Sequence, residues 1–319
     1  MKKIDKNHYL WIEKYRPQTI EDVILPESTL NKFKEDIKSG QIQNYIFSST
    51  TPGEGKTATA KSLIKDLGSD FLFINASKDS GIDTLRNTIY GFATSASLND
   101  SVKVVIMDEI DGSSNTSIQG ALRGVIEEVS KNCRFIFTCN YVNKIMEPIR
   151  NRCTHIDFDE LFSKNKAELG KKMLDRLEFI LENENIKNYE KDSLKLVIQQ
   201  YYPSMREMIN TLQTHSSDGT LHIDQNLQEF NHSFETVINT IKAKDFNKMR
   251  SSIEELSDPS AFYSFVWKNM SKYFTNESLI PLTIGLHQYM NSDVSARDKS
   301  IPLAAFGASV MSSDKIKFK

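Results

Sequence analysis

The sequence predicts an α/β domain built on a parallel sheet, followed by a small helical domain and a second, all-α domain. Three observations carry this prediction. Short β-rich runs alternate with helical stretches up to about residue 160. One of those runs leads directly into a glycine-containing loop and then a helix, near residue 50. After Phe162 the strand-like runs cease and the chain reads as helix.

The strand candidates are Tyr45–Ser48, Phe71–Asn75, Val102–Met107, Phe135–Thr138 and His155–Phe158. Each is short and rich in β-branched or aromatic residues. Helical stretches Thr57–Leu67, Ile82–Ala93 and Ser117–Val129 lie between them. Strands joined through helices form a parallel sheet covered on both faces, and ligands bind such sheets at the carboxyl ends of the strands. Farther on, Lys166–Leu181 places Leu169, Met173, Leu177, Ile180 and Leu181 on one helical face. Asp192–Tyr202 reads as a second helix that stops near Pro203, and Ser204 with Glu207 forms a capping-box pattern opening a third, through Leu212. The turn-rich Ser216-Ser217-Asp218-Gly219 closes this module. From roughly 228 onward the pattern is helical again, with Phe262, Val266, Met270 and Tyr273 on one face. The expected domains are 1–162, 163–225 and 226–319.

Composition narrows the class. The 319 residues are 39% hydrophobic and 26% charged, which argues against disorder. The formal charge of −2 means that nucleic-acid contact would have to come from a local patch. Cys133, Cys139 and Cys153 lack paired-ligand spacing and suggest reduced thiols in a cytosolic setting, with Cys139 and Cys153 as core fillers. The Lys-rich start is not followed by an apolar stretch, and Val102–Met107 and Phe135–Cys139 are too short to span a bilayer. These features fit a soluble, cytoplasmic protein.

The chemistry begins at Ser48-Ser49-Thr50-Thr51-Pro52-Gly53-Glu54-Gly55-Lys56-Thr57, after the run Tyr45-Ile46-Phe47 and before a helix. Loop amides and a helix N-terminus suit the oxygens of a triphosphate. Lys56 can neutralise its outer phosphates and Thr57 can offer a hydroxyl to Mg²⁺. Pro52, Gly53, Glu54, Gly55 and Ala58 complete the expected ATP cradle. The strict pattern asks for glycine where Thr50 stands, a position that can require an unusual backbone angle. Two strands later, Val104-Val105-Ile106-Met107 ends in Asp108-Glu109. Asp108 is placed to organise Mg²⁺, and Glu109 to orient and deprotonate an attacking water. Asn140, ending the next strand, could bridge the γ-phosphate and that water, or could be an ordinary turn asparagine.

Together these residues resemble the AAA+ ATPases, and among them the sliding-clamp loaders. Trp11-Ile12-Glu13-Lys14-Tyr15-Arg16-Pro17 is similar to the W-x-E-K-Y-R-P opening of replication-factor-C-type subunits. Asn75-Ala76-Ser77 with Gly81-Ile82-Asp83 and Arg86, Ala121-Leu122-Arg123 with Glu127-Glu128, and Pro148 to Cys153 are further points of likeness. The short lid and collar look most like the phage branch, whose setting is the host cytoplasm. The resemblance implies an AAA+ P-loop domain, a helical lid and an all-α collar that forms rings. It implies that Arg152 is an arginine finger acting on ATP bound to a neighbouring subunit, although Asn151 stands where the family has serine. Asn140 would be the first sensor and Arg206 the second, and Tyr15, Arg16, Val23 and Ile24 would line the adenine pocket. Unaided by the family, Arg152 and Arg206 could be surface arginines.

The implied partners are other copies of the chain, a second clamp-loader subunit, a sliding clamp and primer–template DNA. Lys78, Ser80, Gly81 and Arg86 are the DNA-contact candidates, by phosphate contact with little base reading. Ile118 and its neighbours would touch the clamp, with Arg123 relaying that contact to the ATP site. Two other readings stay open: a different AAA+ remodeller, such as a helicase loader or Holliday-junction motor, and a subunit that keeps the fold without hydrolysis.

Overall fold

The computed structural model describes residues 8–77, 82–95, 101–112, 116–256 and 258–319, and the backbone alone for 82–86, 116, 117 and 224–232. The chain divides into two compact units, Met1–Leu221 and His222–Lys319.

The first unit opens with α1 (Trp11–Lys14) and α2 (Glu27–Ser39). It continues as β1 (Tyr45–Ser48), α3 (Lys56–Leu67), β2 (Phe71–Asn75), α4 (Ile82–Thr94), β3 (Lys103–Asp108) and α5 (Thr116–Glu128). Next come β4 (Cys133–Cys139), α6 (Glu147–Arg150), β5 (Thr154–Asp157) and α7 (Phe158–Lys164). The sheet is parallel in the order β2-β3-β4-β1-β5. β1 therefore lies between β4 and β5, and the loop after it emerges at the carboxyl edge beside the end of β4. β1 and β3 are buried at every position, as a sheet covered by helices on both faces requires. Lys103, the charge inside an apolar run, donates from Nζ to the Phe92 and Ser95 carbonyls and so caps the end of α4. Buried Gln119 of α5 donates to the Ile110 and Lys144 carbonyls and accepts from Met146 N–H. It thus joins the end of β3 to the segment leading into α6.

The lid follows as α8 (Lys166–Asn183), α9 (Lys191–Tyr201) and α10 (Met205–Thr214). Ser204 caps α10, accepting at Oγ from Glu207 N–H. The turn at Asp218-Gly219 joins β6 (Ser216–Ser217) to β7 (Thr220–Leu221), a hairpin that the sequence pattern did not reveal. Two-residue strands are too short to show alternation.

The second unit is α11 (Ile223–Lys242), α12 (Phe246–Glu254), α13 (Ala261–Tyr273), α14 (Leu279–Ser295) and α15 (Ser300–Ser312). Phe234, Phe262, Tyr263, Leu303 and Phe306 are among its core residues. In the small-residue stretch of α15, a Cβ on Gly307 would stand 2.3 Å from Met249 Sδ. The close approach permitted there is thus between helices of one unit. Among the described residues, no helix is long and apolar enough to cross a membrane.

Candidate active site

The phosphate loop is shaped by two glycines, Gly53 and Gly55, at φ +91° and +100°. An L side chain is strained at both. Thr50 is not among the described non-glycine residues with positive φ, so the missing first glycine leaves no backbone demand unmet. Thr50 is instead tied down: its N–H and Oγ–H donate to Asp159 Oδ2 at 2.8 and 2.9 Å. Ser49 Oγ lies 3.3 Å from Oδ1 of the same carboxylate. Asp159 sits in the first turn of α7, far from Thr50 in sequence, and nothing local marks it. Hydrogen bonds to a charged acceptor contribute about 1.5–3 kcal/mol each. Asp159→Ala should therefore weaken ATP binding roughly tenfold or more at this loop. Nucleotide titration checks this, and an unchanged Kd would show that Asp159 does not hold the loop.

Lys56 Nζ donates to Ser49 O (3.0 Å) and Asn140 Oδ1 (3.2 Å). Burial lowers its pKa from the ordinary lysine value, opposed by Glu54 and more distant acids. Thr57 Oγ donates to Asp108 Oδ1 at 2.6 Å, and Thr138 Oγ donates to the same oxygen at 2.6 Å. Thr57 and Asp108 thus bring a hydroxyl and a carboxylate oxygen together, a donor set that fits Mg²⁺. Thr138 also accepts from Glu109 N–H (3.1 Å), so one hydroxyl fixes both acids at the end of β3. Glu109 stands at φ 57°, a left-handed backbone rare for its residue type and concentrated at functional sites. Its Oε2 accepts from Ser77 Oγ at 2.7 Å. Asp111 Oδ2 accepts from Asn140 N–H and Tyr141 N–H and so orients the turn carrying Asn140.

Of these groups, Lys56, Thr57, Asp108, Glu109, Thr138 and Asn140 line one cavity of about 710 Å³. Every residue expected to act on the chain's own nucleotide lines it: Tyr15, Arg16, Val23, Ile24, Pro52 through Ala58, Asp108, Glu109, Asn140 and Arg206. The lid closes it. A Cβ on Gly53 would lie 2.4 Å from Ser204 Oγ and 2.9 Å from Arg206 Cβ, so glycine is required where the loop meets the start of α10. Tyr15 is buried, and its hydroxyl donates to Glu184 just after α8 at 2.6 Å. Arg176, within α8, donates to Tyr15 O at 2.7 Å and joins the cavity wall. Sequence reading missed Arg176, which fills an ordinary helical position.

Arg152 is absent from that lining. Its guanidinium donates to Pro148 O (2.6 Å) and pairs with Glu127 at the end of α5. Lys78, Ser80 and Gly81 fall outside the described residues, and Arg86 lies in α4 where the backbone alone is described. Ile118 corrects an expectation. It is buried in the core beneath α5, so it is not on a surface that a clamp could touch. Arg123, Glu127 and Glu128 are on the exposed face instead.

A strand–loop–helix phosphate cradle, an acidic pair ending the third strand and a lid arginine together define an AAA+ ATPase. Residues 46–161 match the family model described as ATPase family associated with various cellular activities. Residues 165–227 match that of the sliding-clamp-loader large subunit, AAA+ ATPase lid domain. The chain is 34% identical over 250 residues to the sliding-clamp-loader large subunit of Escherichia phage RB69, covering 78% of each chain. It is 31% identical over 280 residues to that of Enterobacteria phage T4, covering 87% of this chain and 88% of the other. Among solved structures, Thermotoga maritima RuvB is similar with a TM-score of 0.50 at 13% identity, covering 82% of this chain and 92% of that one, a likeness of fold alone. The chain belongs to the sliding-clamp-loader large-subunit family. It is an ATP hydrolase of DNA replication that uses ATP with Mg²⁺.

Proposed function

We propose that this chain is the motor subunit of a clamp loader, which opens a processivity clamp and places it on primer–template DNA. The observation that carries this reading is a cavity holding every expected cis residue, while Arg152 stands outside it with a partly exposed guanidinium. A site complete but for its finger suits catalysis shared between neighbouring copies. In each copy the loop amides and Lys56 hold the triphosphate, Tyr15, Arg16, Val23 and Ile24 enclose the base, and Thr57 and Asp108 hold Mg²⁺. The ion supplies charge neutralisation on the phosphate oxygens. Glu109 takes the proton from the attacking water, and Ser77 restrains its carboxylate until the site is assembled. Asn140 and Arg206 sense the γ-phosphate from the sheet and from the lid. Arg152 of the adjacent copy reaches the developing charge.

Residues 163–225 act as the lid and 226–319 as the collar. The collar carries exposed apolar side chains, Trp267, Ile280, Ile284 and Val294, of the kind that mark an association surface. Other copies and a second, non-identical subunit would cover it, in the cytoplasm where replication takes place. DNA would be gripped along its phosphates by Lys78, Ser80, Gly81 and Arg86. The deciding experiment is ATP turnover by the assembled loader with and without clamp and primer–template DNA. Both are expected to stimulate it, and turnover indifferent to both would contradict the reading. Arg86→Ala should lower the DNA-stimulated rate and reduce its salt slope by roughly one phosphate contact. An unchanged slope would remove Arg86 from the DNA path.

A further inference from the structure

The phosphate loop contains a carboxyl group to which the hydrolysis scheme gives no role. Glu54, between the two strained glycines, is 4% exposed, and neither carboxyl oxygen has a hydrogen-bond partner among the described residues. A buried carboxylate normally accepts several donors or faces a cation. Around Glu54 the charges lean the other way. Asp157 at the end of β5 and Asp159 in α7 add negative charge, and Tyr202 approaches from the lid. Lys56 of α3 is the nearby cation, but its ammonium is directed to Ser49 O and Asn140 Oδ1. Ser204 and Arg206, packed on Gly53, cover the loop from the lid side.

We propose that ATP binding takes up one proton on Glu54, so that the triphosphate is held against a neutral carboxylic acid. The inference rests on the ATP-site reading above. With its Mg²⁺ the triphosphate brings about two net negative charges to the loop on which this carboxyl sits, and their repulsion with a carboxylate is strong in a dry site. The nearby Ser49 hydroxyl donates to Thr51 O, and Lys56 to Ser49 O and Asn140 Oδ1, so neither forms a hydrogen bond with the ionised carboxylate and neutralisation is the available response. The proton comes from solvent and forms an O–H bond on Glu54; no electrons move. In the free chain, burial pushes the Glu54 carboxyl up to about 7, opposed by Ser49 and Lys56 and aided by Asp159 and Asp157. Glu54 is therefore largely ionised before ATP arrives at pH 7.5. The bound state has the higher pKa, so affinity is fullest below pH 7 and falls as pH rises through the free-state value.

Calorimetric titration of the full chain with Mg-ATPγS at pH 7.5, in phosphate and in Tris, reads the proton directly. Wild type should take up roughly 0.7 proton more per nucleotide than Glu54→Gln or Glu54→Thr. Its Kd should weaken roughly 15-fold from pH 7 to 8.5, while the variants change little. Equal proton uptake in wild type and both variants, or a flat wild-type Kd, would overturn the proposal. Failure of wild type to bind nucleotide at all would overturn the ATP-site reading instead.

Discussion

Glu109→Gln should reduce steady-state hydrolysis by roughly a hundred- to ten-thousand-fold, the range a positioned general base contributes, with ATP affinity changed by less than about twofold. The substitution is nearly isosteric. The new amide could still meet Ser77 Oγ, and the backbone bond from the N–H of that position to Thr138 would remain. Asp108 would keep its hydrogen bonds from Thr57 and Thr138, so the metal-binding pair is undisturbed. What is lost is an acceptor for the proton of the attacking water. Phosphate release measured beside nucleotide titration separates the two quantities. A variant that retained a tenth of wild-type turnover would show that the base lies elsewhere.

Arg152→Ala carries the second large effect. An arginine finger contributes about a thousand-fold or more to phosphoryl transfer. The rate of the assembled loader should fall by that order, while each copy still binds ATP, because Arg152 does not line the cavity of its own chain. The ion pair to Glu127 does not oppose this role. An exposed pair contributes about 0–1 kcal/mol, and a neighbour's γ-phosphate, with bidentate geometry, competes well for the guanidinium. Comparing kcat with Kd checks the assignment: loss of binding with kcat retained would make Arg152 a structural residue.

Much of this site was legible because it is local. The phosphate loop is contiguous, and β1 and β2 occupy the spans their composition suggested, Tyr45–Ser48 and Phe71–Asn75. Asp108 and Glu109 were marked by the buried strand that ends in them. The residues that hold these groups were not marked. Thr138, Ser77 and Asp159 reach their partners across 29 to 109 positions, through hydroxyls and carboxylates common at any strand end or helix start. Asp159 also accounts for Thr50, the departure from the strict loop pattern. Ile118 shows the opposite failure. Helical spacing fixes which residues share a face of α5 but not which face meets the sheet, and the core took Ile118.

In the proposed assembly each ATP site is completed by Arg152 of an adjacent copy. Mixing Arg152→Ala chains with Glu109→Gln chains, in loader assembled with clamp and DNA, tests it most directly. Each variant alone should be inactive. The mixture should recover turnover wherever a Glu109→Gln chain presents its normal Arg152 to an Arg152→Ala chain with a normal Glu109. A mixture as inactive as either parent, or an Arg152→Ala loader that turns over at the wild-type rate, would contradict the shared site.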